Sequence, residues 1–203
     1  MPAAHGIFDL IFTAMAMFDS DAFVDSCQIA LLGVDPRNEI RELVERAISF
    51  PQHLDQLFPV PLDPDEDGII FRSSELTVTS AIFPRGFTTG IHNHTMAAVI
   101  GVWSGIEDNH LYAPREHGVT ATGTKRVVAG EVLVLIDSDI HDVQVPNSSW
   151  SCALHVYLGD LIASQRNGWA SNDSPKELFD ADQLRRRWLE VSRDTGLTAV
   201  SPR

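Results

Sequence analysis

Cysteine is scarce: the 203 residues contain two, Cys27 and Cys152. That argues against a disulfide framework and excludes a four-cysteine zinc site within one chain. A reducing, cytoplasmic setting is the expectation. Positive charge is short as well. Lys and Arg total 15 against 28 Asp and Glu, a formal net charge of −13, so neither nucleic acid nor an anionic membrane surface is an expected partner. A small anionic ligand stays open, because one arginine in a dry pocket outweighs a distant, screened field. No apolar run reaches bilayer-spanning length. The apolar stretch 6–18 lacks a basic start, carries Asp9 and has no small-residue cleavage site, which favours a buried helix over a signal peptide. Internal repeats and low-complexity tracts are absent.

What is present suits one compact domain, 1–203, with a hydrophobic fraction of 44%. Three zones are expected. Residues 1–61 read as helical. Asp35-Pro36 is a start signal, Ile40, Leu43, Val44, Ala47 and Ile48 follow at helical spacing, and Phe50-Pro51 stops that helix. Residues 68–158 read as short strands: 69–72, 75–83, 95–103, 109–113, 125–128, 131–136, 142–145 and 151–158. Turn signals such as Pro84-Arg85-Gly86, Ser104-Gly105 and Ala129-Gly130 separate them. That density of strands points to a sandwich or barrel rather than βαβ units. Residues 159–203 should hold one helix opening near Asp180, with Leu184, Trp188 and Val191 on one face, and a frayed tail after Thr195.

Eight histidines are present, and His92-Asn93-His94 is the sharpest local signal. In a strand, side chains two apart share a face, so both imidazoles can reach one metal. Gly86 precedes His92 by six residues, Gly105 closes the following strand, and the apolar run Glu131–Ile136 leads on to His141. Glycine turns, a histidine pair and a later single histidine resemble the two motifs of the cupin superfamily. The resemblance implies a double-stranded β-helix, a small barrel, that gathers His92, His94 and His141 on one metal. The superfamily's glutamate ligand is missing, since Ala97-Ala98-Val99 occupies its place. Three neutral imidazoles would leave a divalent ion with charge +2 and open positions, a centre that favours an anionic donor such as a thiolate. A zinc centre generating hydroxide is the competing reading.

Ile91-His92-Asn93-His94-Thr95, Ile136-Asp137-Ser138-Asp139-Ile140-His141 and Leu154-His155-Val156-Tyr157 together resemble the cysteine dioxygenase family of thiol dioxygenases, over roughly half the chain. The resemblance implies an Fe(II) enzyme, with Zn or Ni also able to fill the site as purified. It implies a small thiol carboxylate (cysteine or 3-mercaptopropionate) oxidised by O2 to its sulfinic acid. His155 and Tyr157 alternate on one strand, and in the family the tyrosine hydroxyl, oriented by the histidine, serves the oxygen or the substrate. The family's serine two residues before the histidine is Ala153 here. The cysteine that animal members cross-link to the tyrosine is Val99, so no Cys-Tyr thioether cofactor is expected. Arg72 matches the place of the carboxylate-binding arginine in cysteine dioxygenases. Arg166 matches that of the bacterial branch that includes mercaptopropionate dioxygenases. A guanidinium fork suits a carboxylate.

Two other classes stay open: a different metal-dependent cupin enzyme (lyase, isomerase or hydrolase), and a non-catalytic module that binds a small acid. A homodimer is compatible with the sequence. His110 reads as a histidine of an outer strand. His5, His53 and His117 read as solvated, Trp169 and Trp188 as core anchors, and Arg185-Arg186-Arg187 as a solvated helix face. The acidic run 63–68 reads as a loop without a calcium-binding pattern.

Overall fold

The computed structural model describes residues 18–59 and 68–197. His5, the apolar stretch 6–18 apart from Phe18, and the acidic run 63–67 lie outside the described residues. Asp19 accepts from the N–H groups of Asp21 and Ala22 and opens α1 (Ser20–Ala30). Asp35 accepts from Asn38 N–H at the start of α2 (Pro36–Ile48), with Pro36 in its first turn. Both aspartates satisfy donors that have no carbonyl partner at a helix start. The expected stop at Phe50-Pro51 is real. The same proline also opens a short α3 (Pro51–Leu57), because a residue without N–H fits a first turn.

The described chain is mainly β, with two antiparallel sheets and four helices. One sheet runs, in spatial order, β1 (Ile69–Arg72), β2 (Thr77–Phe83), β9 (Ser151–Tyr157), β4 (Ala98–Ser104), β7 (Val132–Leu135). The other runs β11 (Glu177–Leu178), β10 (Asn167–Trp169), β3 (Ile91–Asn93), β8 (Ile140–Gln144), β5 (Ile106–Pro114), β6 (Val119–Val128). From β3 onward the chain passes back and forth between the sheets, which is the winding of a double-stranded β-helix, as expected for a cupin-type barrel.

The first sheet is buried on both faces. Along β9, Cys152, Leu154 and Val156 pack with the α2 residues Ile40, Val44, Ala47 and Ile48. Ala153 and Tyr157 point the other way, into a lumen shared with Ala98, Ile100, Leu133 and Leu135. Gly101 allows α2 to seat on β4: a Cβ there would collide with Val44 Cγ1 and come within 3.0 Å of Ile48 Cγ2. α4 (Ala181–Thr195) is capped by Asp180 and ends at Gly196, whose φ of 75° suits glycine. Its Trp188 donates from Nε1 to the Ile82 carbonyl at 2.8 Å.

Several expectations need correction. β3, β10 and β11 are too short for a periodic signature, yet they complete the second sheet, with Gly168 opposite His92. The segment after 158 is therefore part of the barrel and not only a helical appendage. β6 begins at Val119 rather than 125, because β5 holds its polar, glycine-containing start by cross-strand pairing. β5 lies between β8 and β6, so His110 is not on an outer strand. The chain does not fray directly after Thr195: Leu197 N–H donates to Ser192 O at 2.8 Å and its side chain is fully buried. His53 is buried rather than solvated, and its ring stacks on Phe50. His117 is exposed, as expected.

Candidate metal centre

His92 and His141 stand directly opposite one another across β3 and β8, so the strand register alone brings their rings together. His94 lies just past the end of β3. Thr95, with φ 59°, is the only non-glycine residue of positive φ among the described residues. This strained residue reverses the chain toward β4 and carries His94 over the lumen. All three imidazoles are buried. Gly90 O accepts from His92 Nδ1–H and Asn109 Oδ1 accepts from His141 Nδ1–H, both at 2.9 Å. Those bonds leave the Nε2 lone pairs for the cluster, where His94 Nε2 is 3.1 Å from His92 Nε2 and 3.4 Å from His141 Nε2.

The three side chains form a group whose ligand atoms lie within 4.8 Å of one another, and among the described residues no Cys, Asp or Glu joins them. A cation about 2.1 Å from each nitrogen demands separations of about 3.0 Å at right angles and about 3.4 Å at the tetrahedral angle. Two of the three separations match those of ligands on one cation, so the group could hold a metal ion. Burial holds His92 down at about 4. Burial, reinforced by the neighbouring imidazoles, keeps His94 and His141 well below the usual histidine range. All three imidazoles are neutral at physiological pH and so able to act as ligands.

His155 and Tyr157 face the lumen, and the histidine Nδ1 lies 2.9 Å from the tyrosine hydroxyl. Tyr157 meets His94 nearly edge-on, at 80° with ring centroids 5.0 Å apart. Burial lowers His155 to about 3 and raises the Tyr157 phenol. With Ala153 offering no hydroxyl, His155 Nε2 is buried with no partner among the described residues. Val99 packs with the helix-side cluster, on the face opposite that of Tyr157.

The two arginines have different fates. Arg72 forms a fork with Asp160, Nε to Oδ1 at 2.8 Å and the second nitrogen to Oδ2 at 3.0 Å, on the protein surface. Its hydrogen-bonding edge is occupied there by the Asp160 carboxylate. Arg166 is half-buried, with its guanidinium carbon 4.6 Å from the Phe179 ring centroid, and that ring lies 5.0 Å from His92. No ion pair to Arg166 occurs among the described residues. Its charge acts on His92, His94 and Tyr157. A half-buried cation without a carboxylate, beside a neutral histidine cluster, is a place for an anion.

Sequence reasoning missed Asn109 and Phe179. The alternation Glu107-x-Asn109 on an expected strand is the signal that could have exposed the first. Nothing local marks the second, which depends on the return of β10 and β11. His110 binds Asp142 at 2.7 Å beside Tyr112 and takes no part in the cluster. Trp169 and Trp188 are buried, as expected of core anchors.

No family model and no curated protein matches the chain. Among solved structures, it is similar to a DMSP lyase from Ruegeria pomeroyi at 17% identity, over 46% of this chain and 43% of that chain, with a TM-score of 0.37. It is similar to an oxalate oxidase in complex with the substrate analogue glycolate at 16% identity, over 42% of each chain, with a TM-score of 0.37. A third is an uncharacterized double-stranded beta-helix protein from Klebsiella pneumoniae at 12% identity, over 55% of this chain and 81% of that chain, with a TM-score of 0.38. The chain spans less than half the length of the two enzymes. Likenesses this slight transfer neither reaction nor substrate. Among the described residues, no helix is long and apolar enough to cross a membrane.

Proposed function

We propose that this chain is an Fe(II)-dependent thiol dioxygenase that converts a small thiol carboxylate to its sulfinic acid. One observation carries the reading: a buried cluster of three neutral imidazoles lies beside Arg166, and among the described residues neither the cluster nor the arginine has a carboxylate partner. His92, His94 and His141 hold the metal. Fe(II) held there would supply Lewis-acidic, redox-active chemistry suited to a thiolate and O2. The remaining work falls to the protein. Arg166 holds the carboxylate with its planar fork. Phe179 walls the space between Arg166 and His92 with an apolar face and excludes water. Tyr157 presents a hydroxyl to the reacting face, with His155 Nδ1 fixing its direction. Burial keeps that phenol protonated, so it acts as a donor.

The test pairs metal analysis of protein purified without added metal with an oxygen electrode and a panel of cysteine, 3-mercaptopropionate and cysteamine. Iron content with oxygen uptake on the thiol carboxylates is the expected result. Zinc content with no uptake indicates hydrolase or lyase chemistry, and tight binding of the acids without turnover indicates a binding module. Uptake with cysteamine alone removes the role given to Arg166.

A further inference from the structure

We propose that Glu107, acting through Asn109, positions His141 as a metal ligand. The inference rests on the metal-centre reading above and deepens it. Glu107 and Asn109 are two apart on β5, so they share its inward face, and both are fully buried. Asn109 is paired with Val143, which makes His141 its diagonal neighbour on β8 and explains the 2.9 Å bond between Asn109 Oδ1 and His141 Nδ1. On the opposite side of the lumen, Ser151 Oγ of β9 donates to Glu107 Oε1 at 2.7 Å. A carboxyl group thus ties one sheet to the other, directly behind the residue that orients a ligand.

Two buried polar atoms of this row are left over: Glu107 Oε2 and Asn109 Nδ2 have no partner among the described residues. One is an acceptor and the other a donor. The Asn109 amide is near enough to favour the charged form of the Glu107 carboxyl, and leaving the two atoms apart in a barrel interior is costly. The pairing has a directional consequence. The two ends of an amide are nearly alike in shape, and His141 needs the oxygen end. An acceptor at Glu107 takes the nitrogen end and so fixes the amide with Oδ1 toward His141. That orientation keeps the proton on His141 Nδ1 and aims Nε2 at the metal. Glu107 is itself no ligand, since the ligand group consists of the three histidines alone. It is a positioning residue.

Co(II) titration of the full chain, followed by the d–d absorption bands, tests this. Glu107→Leu should weaken Co(II) binding by about 10–100-fold and shift the bands, as outer partners of a ligating histidine do. Glu107→Gln, which keeps an acceptor oxygen, should restore most of the loss. Asn109→Ala should reproduce the Leu variant, and the double variant Glu107→Leu/Asn109→Ala should be no worse than Asn109→Ala alone. Wild-type affinity and bands in Glu107→Leu overturn the proposal, as does a lowered thermal midpoint with unchanged bands, which marks packing alone. Equal impairment of the Leu and Gln variants also overturns it, since charge and not the acceptor would then be responsible. If Glu107→Leu does not fold, Ser151→Ala decides: it unties the carboxyl from β9 and should loosen Co(II), and an unchanged affinity overturns the proposal. A wild-type chain that takes up no Co(II) defeats the metal-centre reading itself, a result distinct from all of these.

Discussion

Acidification of the metal-free protein reads out the burial of its imidazoles. His92 is held down at about 4 and His155 at about 3, against an ordinary 6.5, with burial the main cause in both. His94 and His141 are displaced the same way. Such a group stays neutral in the folded chain while the unfolded chain takes up the proton. The stability present above 6.5 is therefore lost as the pH falls through the window down to the folded values. Each imidazole contributes about 1.4 kcal/mol per pH unit in that window, so four contribute roughly 5 kcal/mol per unit. Glu107 acts in the opposite sense. Burial raises it from 4.5 to about 7, so its contribution is full below 4.5 and is lost as the pH rises toward 7. It offsets about one imidazole, leaving a net loss of roughly 4 kcal/mol per unit between 6.5 and 4.5. Against a total of about 5–15 kcal/mol for a folded domain, that slope unfolds the chain within a few pH units. Urea titrations of chelator-treated protein, followed by far-UV circular dichroism between about pH 7.5 and 5.5, measure the slope. Glu107→Leu should steepen it by about 1.4 kcal/mol per unit. Stability that stays flat below 6.5, or imidazolium resonances from these four rings in the folded protein, would refute the reasoning.

His94→Ala should abolish metal retention and turnover together, as measured by metal content and oxygen uptake. Arg166→Lys keeps the charge but not the fork, and should raise KM for 3-mercaptopropionate about tenfold with little change for cysteamine. Arg72→Ala should leave that KM unchanged and barely move the midpoint of a urea melt, since its ion pair with Asp160 is exposed. Tyr157→Phe keeps the packing and removes the donor, so kcat should fall about tenfold or more while metal content holds. Gly101→Val forces a side chain into the seat of α2 and should destabilise the fold by about 1–3 kcal/mol in the same melt.

The parts legible in the sequence are those set by short-range chemistry. α2 was readable because an aspartate cap, a proline and an apolar stripe all fall within one stretch. His92 and His94 were readable as a pair from their spacing, and that His141 joins them was what the resemblance to the cupin motifs implied. Asn109 and Phe179 were not, because each matters only through a pairing between distant strands. Arg72 and Arg166 look equivalent in the sequence. What separates them is Asp160, 88 residues from Arg72, which occupies one fork, whereas the other has no acidic partner among the described residues. Short strands such as β10 depend on the open edge of β3 and have no pattern of their own.

The return of β10 and β11 onto β3 has a consequence for biosynthesis. All three clustered histidines precede residue 142, whereas Arg166 and Phe179 arrive with the last strands. On the proposed reading, a polypeptide cut short near residue 160 would carry the three histidines and lack Arg166 and Phe179, the groups proposed to favour a thiol carboxylate.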